Sequence, residues 1–211
     1  MPENSLCQVT FLRHGESVGN LENRFQGHAD YPLTETGRDQ AKILAERWLA
    51  EGRGFDRAIS SPLLRARETS EIICNALGVR FELDENWKEI DNGLLAGLNE
   101  EEAAQTVPLP EVFTPYTHTG RTGESRWEVF LRAGSNVQKL VDYPPGNTLV
   151  VAHGGILNMA LYAILGIPAQ IAHSGARFTF TNTAFATLSY EPERHIWRLL
   201  QFDNPPHRKE D

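Results

Sequence analysis

The sequence predicts an α/β fold: a three-layer α/β/α sandwich around a mostly parallel mixed sheet, with an irregular lid insertion. Three features lead to it. Short apolar β-type runs alternate with longer helical patterns through most of the 211 residues, an order that builds a parallel sheet covered by helices. Beyond residue 176 the pattern changes to closely spaced strand-like runs, which suit closing strands that are at least partly antiparallel. Between residues 84 and 122 no periodicity is sustained, and Pro108, Pro110, Pro115 and Gly120 interrupt the chain.

Residues 9–12 read as a short strand that Arg13-His14-Gly15 breaks, and residues 27–32 read as loop. Helical spacing starts after Thr34, with Ala41, Leu44, Ala45, Trp48 and Leu49 on one face and Gly52 at the end. Residues 57–60 form a second strand. Ser61-Pro62 then has the composition of a helix start, serine as N-cap and proline at the first helical position, with a stop at Gly78. Residues 79–83 form a third strand, and in the irregular stretch only 99–106 suits a short helix. After Glu124, residues Trp127, Phe130, Leu131, Gly134, Val137 and Val141 share a helical face. Residues 148–152 are a buried-type strand, followed by His153-Gly154-Gly155 and an apolar helix over 156–165 that Gly166 and Pro168 punctuate. Residues 177–181, 185–190 and 196–200 are the expected closing strands. With no repeat and no linker, a single domain over 1–211 is expected, its lid spanning about 84–122.

Lys and Arg total 20 against 28 Asp and Glu, a formal charge of −8. No basic field is available to draw in a nucleic-acid backbone, so an anionic substrate must meet a local positive pocket. The run Glu100, Glu101, Glu102 reads as a solvated helix face. Cys7 and Cys74 are too few for a disulfide framework or a zinc site and read as buried small apolar residues. Residues 1–6 lack the pattern of a signal peptide, and no apolar run approaches the roughly 18 residues that cross a bilayer. A cytoplasmic location with no membrane partner is the expectation.

Arg13, His14, Arg65 and His153 are where chemistry gathers. Arg13-His14 leaves the first strand, Arg65 lies in the first turns of the helix after the second, and His153 leaves the later buried strand. Ligands of an open α/β sheet bind at the carboxyl ends of its strands, so parallel strands would bring all four side chains to one spot. Two arginines and two histidines there would repel one another without an anion. A phosphate supplies it, held by guanidinium forks and a helix N-terminus. Singly each residue has an ordinary reading, a structural histidine, a surface arginine or a tight turn. His28, His118, His173, His195 and His207 keep the structural one.

Several motifs in order carry a resemblance. Leu12-Arg13-His14-Gly15-Glu16-Ser17 with Asn20, then Arg24-Phe25-Gln26-Gly27, Asp30-Tyr31-Pro32-Leu33-Thr34, and Gly37 with Gln40-Ala41 form the first block. Ser60-Ser61-Pro62-Leu63-Leu64-Arg65-Ala66 with Thr69 forms the second, and Gly123-Glu124-Ser125 with Arg132 and His153-Gly154-Gly155 the later ones. Together they resemble the histidine phosphatase superfamily, the phosphoglycerate-mutase-like group. The resemblance implies that His14 is the nucleophile and that Arg13, Arg65 and His153 hold the nonbridging oxygens. Asn20 and Gln26 match positions that contact the phosphoryl group or substrate, and Gly27 and Gly154 are counted with them. Attack requires a neutral imidazole whose other nitrogen donates to an acceptor; the sequence does not identify that acceptor.

A proton donor for the leaving oxygen is also required. Glu85, Glu89 and Asp91 are candidates, and the register of Trp87-Lys88-Glu89-Ile90-Asp91-Asn92-Gly93 and Gly97 with the family's acid-bearing segment selects Glu89. Leu95-Ala96-Gly97 departs from the Trp-Glu-Gly triplet of many phosphatases of the family, and Leu98-Asn99 looks more like the mutases. The expected activity is a metal-independent phosphatase acting on a small phosphorylated metabolite, with no cofactor, because no Cys/His cluster or carboxylate set has metal-ligand spacing. A phosphoglycerate mutase is the rival, disfavoured by the short stretch from Glu89 to His153 and by the Gln26-Gly27 and Pro32-Leu33-Thr34 variants. A noncatalytic phospholigand-binding module is the rival of another class. Arg121 and Arg126 are in reach of a second anionic group, with solvation their preferred reading. The oligomeric state leaves no trace in the sequence.

Overall fold

The computed structural model describes residues 7–171 and 175–205. The first half holds β1 (Cys7–Arg13), α1 (Val18–Leu21), α2 (Glu35–Ala50), β2 (Arg57–Ser60), α3 (Leu64–Leu77) and β3 (Phe81–Leu83). Two 3-10 turns, Glu85–Trp87 and Gly93–Leu95, and α4 (Glu100–Thr106) follow. Then come α5 (Arg126–Asp142), β4 (Gly146–Ala152), α6 (Gly154–Leu165), β5 (Phe185–Glu191) and β6 (Ile196–Asp203).

The strands form one sheet in the order β3-β2-β4-β1-β5-β6. β3, β2, β4 and β1 run parallel, and β5 and β6 close the sheet antiparallel. Successive strand residues point to opposite faces, which splits the core in two. Phe11 and Val150 pack with Val129, Ala133, Leu157 and Leu161 of α5 and α6. Leu12, Leu149 and Val151 pack with Ala41, Leu44, Trp48, Ala66 and Ile73 of α2 and α3. The expected three-layer mixed α/β sandwich is what the chain adopts.

Register sets up the site. Arg13 lies level with Ala152, and Ser60 level with Val151. The residues that follow, His14, Ser61 and His153, therefore leave the sheet side by side at one edge.

Several local expectations are corrected. α1 is a four-residue helix that too short a pattern left unseen; Ser17 caps it in a capping box with Asn20. Leu49 is 53% exposed, outside the α2 core face. Ser61 does not cap α3. That helix starts at Leu64, whose amide is taken by the Asp30 carboxylate at 2.6 Å. The buried stripe of α5 is Val129, Ala133, Asn136, Val137 and Leu140, while Trp127 and Leu131 are exposed. Trp127 instead stacks with Phe130 and packs on Tyr116 of the irregular segment. Residues 177–181 form no strand. The tyrosine hydroxyl of Tyr162 binds the Ala176 carbonyl, and Asn158 binds both backbone groups of Phe178, so α6 side chains do the work of a neighbouring strand.

The short helix within 84–122 forms as expected, with Asn99 as N-cap and Glu102 closing the box. Its three glutamates occupy the first turn, where the helix dipole favours them. The flanks of this segment are pinned to each other and to the body: Glu124 N donates to Asp91 O, Leu94 N to Gly120 O, and Phe25 N to Leu98 O. Cys7 and Cys74 are buried free thiols, and burial pushes the Cys74 thiol up to about 12. Among the described residues no helix is long and apolar enough to cross a membrane.

Candidate active site

His14 is buried, and its Nδ1 lies 2.7 Å from the Gly15 carbonyl. A carbonyl only accepts, so Nδ1 carries the proton and Nε2 keeps its lone pair. This is the acceptor the sequence left unidentified. Burial, then the positive charges of Arg65 and Arg13, hold the His14 pKa well below the ordinary histidine value, so the ring is neutral near pH 7. The carbonyl of His14 receives Asn182 Nδ2 at 3.1 Å, a contact with no sequence signal because Asn182 belongs to no recognised motif.

His153 follows β4 and faces His14, with ring centroids 5.0 Å apart. It is fully buried, and burial followed by Arg65 and His14 depresses its pKa in the same direction. Its Nε2 meets the Ser61 hydroxyl at 2.8 Å, while Nδ1 is buried with no partner among the described residues.

The arginines are anchored at one end and open at the other. Arg65, 1% exposed, donates to the carbonyls of Ala29 (3.0 Å) and Gly27 (2.9 Å). Arg13 donates to the Phe180 carbonyl at 2.6 Å and lies against Gly154. The Nε atoms of both are buried without a partner among the described residues. Burial lowers both pKa values, that of Arg65 to about 10, which leaves each cationic near neutrality. Buried donors without acceptors are costly. Two guanidinium Nε–H groups and an imidazole nitrogen left open beside a neutral histidine describe a cradle for a tetrahedral anion.

Glu89 belongs to the same cluster, since its charge offsets the loss of proton affinity at both Arg13 and Arg65. Trp87 and Ile90, both buried, fix the backbone on either side of it. Its Oε2 accepts Gly155 N at 2.9 Å, and Oε1 accepts Ile156 N at 3.0 Å and Ile90 N at 2.9 Å. Gly155 is required for that approach: a Cβ there would stand 2.4 Å from Glu89 Oε1. Arg132 grips Glu124 with two bonds of 2.7 and 2.9 Å and donates to the carbonyls of Asn86 and Lys88, tying the stretch that carries Glu89 to α5.

The remaining predicted residues sit around this cluster. Asn20 Oδ1 accepts from the Ser17 hydroxyl (2.9 Å) and from Asn182. Gln26 Oε1 lies 2.8 Å from the same hydroxyl and shares its single proton with Asn20 Oδ1. Gly27 is buried at φ +49°, a conformation glycine adopts without strain, and offers its carbonyl to Arg65. His28, His118 and His195 are hydrogen-bonded to the Glu89 carbonyl, the Gly123 carbonyl and the Tyr190 hydroxyl; His173 and His207 lie outside the described residues. Among those residues no group of three or more His, Cys, Asp or Glu is arranged to hold a metal ion.

The six-stranded mixed α/β architecture is that of the histidine phosphatase class. The model of the histidine phosphatase superfamily (branch 1) matches residues 9–204, and the chain belongs to that superfamily. A probable phosphoglycerate mutase GpmB of Cronobacter sakazakii is 36% identical over 194 residues, 88% of this chain and 86% of its own. The structure of the mycobacterial glucosyl-3-phosphoglycerate phosphatase with VO3 matches with a TM-score of 0.80 at 28% identity, covering 95% of this chain and 100% of that one. Bacillus stearothermophilus YhfR matches with a TM-score of 0.78 at 27% identity, covering 92% of this chain and 95% of its own.

Proposed function

We propose that the chain is a metal-independent phosphomonoester hydrolase acting on a small phosphorylated metabolite through a phosphohistidine on His14. The observation that carries this reading is the His14 Nδ1 bond to the Gly15 carbonyl, which reserves Nε2 for attack beside the unpartnered Arg13, Arg65 and His153 nitrogens. Nε2 forms a bond to phosphorus as the bond to the ester oxygen breaks. The leaving oxygen takes a proton from Glu89, and the arginines and His153 hold the three nonbridging oxygens. Water then attacks the phosphohistidine and returns a proton to Glu89, and phosphate and neutral His14 are released. Asn20, Gln26, Gly27 and Gly154 line or shape the same cradle, and the chain acts as a single domain with 84–122 as its lid.

The names of the similar proteins fall on both sides of one question. The GpmB likeness favours a mutase, in which the phosphoryl group returns to a glycerate; the glucosyl-3-phosphoglycerate phosphatase likeness favours transfer to water. Both need the same first half-reaction. A noncatalytic binding role has less support, since nucleophile, anion-holding residues and a candidate acid are all present.

The test is rapid quench with a radiolabelled phosphomonoester followed by peptide mapping. Label on the His14 peptide, lost in His14→Ala and undiminished by EDTA, is expected. Label on His153 or Ser61, or turnover that EDTA abolishes and only a divalent cation restores, would overturn the proposal.

A further inference from the structure

The tautomer of His14 depends on one carbonyl, and that carbonyl belongs to the peptide between Gly15 and Glu16. In a trans peptide the C=O and N–H point in opposite directions, so whatever holds the Glu16 amide also aims the Gly15 oxygen. The holder is Gln40 of α2, half-buried, whose Oε1 accepts Glu16 N–H at 2.8 Å. A backbone N–H can be met only by the oxygen of a carboxamide, which settles how the Gln40 side chain is turned.

This peptide needs a hold from outside. Residue 15 must be glycine, because α2 comes so close that a Cβ there would collide with the Gly37 carbonyl. Glycine is also the residue about which the following peptide turns most freely. The peptides on either side are fixed. Before it, the Thr69 hydroxyl accepts Gly15 N–H at 3.1 Å and is itself anchored to the Arg65 carbonyl at 2.7 Å. After it, the Thr34 amide binds the Glu16 carbonyl at 2.9 Å. The peptide that carries the Gly15 oxygen is gripped by Gln40.

We propose that Gln40 is a positioning residue for the nucleophile: through the Glu16 amide it aims the Gly15 carbonyl, and through that carbonyl it keeps the His14 proton on Nδ1. Without the Gln40 oxygen the Glu16 N–H loses its acceptor, and the peptide turns to find another. Gly15 O then leaves Nδ1, and His14 can carry its proton on Nε2 instead. That form lacks the lone pair that attack requires. The effect on rate rests on the phosphohistidine reading, whereas the effect on the tautomer does not.

Long-range proton–nitrogen NMR spectra of protein labelled with 15N-histidine distinguish the two tautomers, and His14→Asn identifies the His14 signals. In the unsubstituted protein at neutral pH the proton should sit on Nδ1. Gln40→Ala places the best helix former on α2, and in it the Nε2–H form should become populated. Its kcat for p-nitrophenyl phosphate should fall about 10-fold, with KM changed less than about threefold. Gln40→Glu keeps the acceptor and should restore both the Nδ1–H spectrum and most of kcat. Gln40→Leu, which fills the space without an acceptor, carries the same readings if the alanine variant does not fold. An unmoved His14 spectrum in a folded variant without the acceptor overturns the proposal, whether or not kcat falls, and so does an Nε2–H spectrum in the unsubstituted protein. Rapid-quench labelling reads the hydrolase separately. A tautomer that depends on Gln40 without label on His14 removes only the hydrolase, and label with a tautomer indifferent to Gln40 removes only the positioning role.

Discussion

The Ser61 hydroxyl stands 2.8 Å from His153 Nε2, and both side chains are buried. The same oxygen accepts the Leu63 amide at 3.3 Å, so its single proton is free to go to Nε2. His153 is neutral, hence its own proton sits on Nδ1, the nitrogen left without a partner. Ser61 thus leaves His153 with a free Nδ1–H donor on a ring that packs against His14.

Ser61→Ala should therefore lower kcat/KM for p-nitrophenyl phosphate by about 10-fold or more, as expected when a buried hydrogen-bonding atom loses its partner. Ser61→Thr, which keeps the hydroxyl, should recover most of the loss. A structural role alone would show as a lower melting temperature with no selective rescue of kcat. Unchanged kinetics in the alanine variant would remove Ser61 from the site.

The four central residues were legible because each follows or opens an element on a recognisable parallel strand. Once β1, β2 and β4 run parallel, Arg13, His14, Arg65 and His153 must meet. Ser61 was not legible in that way. A Ser-Pro pair has the composition of an N-cap, and nothing local announces that a histidine 92 positions away claims the hydroxyl. The missing strand at 177–181 has a similar cause: its alternation is real, but Asn158 and Tyr162 satisfy its backbone where a ladder partner was expected. The α5 face was misjudged because Trp127 packs on Tyr116 of the irregular segment, a partner without periodicity.

Glu89→Gln tests the acid. Poor alkoxide leaving groups need protonation and p-nitrophenolate hardly does, so alkyl phosphates should slow by roughly 10²–10⁴-fold and p-nitrophenyl phosphate far less. Glu85 is engaged with Lys88 at 2.5 Å and is 71% exposed, and Asp91 is occupied by the Gly93 amide. Steady-state kinetics showing an equal, small loss on both substrates would make Glu89 a helix-capping carboxylate only.

The depressed pKa values of His14 and His153 have a consequence for stability. Both rings stay neutral in the folded protein below the unfolded value near 6.5, where the unfolded chain takes up protons. Stability is therefore complete above about pH 6.5 and declines as pH falls toward the folded pKa values. The slope approaches about 1.4 kcal/mol per pH unit for each histidine. Urea denaturation at pH 7 and pH 5.5 should show this loss, and His14→Asn should reduce it. An equal slope in that variant would mean that His14 titrates normally in the fold.

The fate of the phosphohistidine separates hydrolysis from mutase chemistry. A mutase must exclude water until the bound product has turned over, so its lid has to stay closed longer than hydrolysis takes. Here the flanks of the segment are pinned near Asp91 and Gly120, but the stretch after α4 carries Pro108, Pro110 and Pro115 and leaves Leu109 79% and Val112 70% exposed. Those exposed side chains offer little packing to hold the stretch closed, so water should reach phosphorylated His14 within each turnover. The enzyme is expected to release inorganic phosphate from several phosphomonoesters and to isomerise 3-phosphoglycerate poorly, even when primed with 2,3-bisphosphoglycerate. Coupled enolase and phosphate-release assays on one preparation measure both rates. Efficient primed isomerisation with negligible phosphate release would show that the exposed stretch closes after all, and would make Leu98-Asn99, the mutase-like pair, the better guide to the reaction.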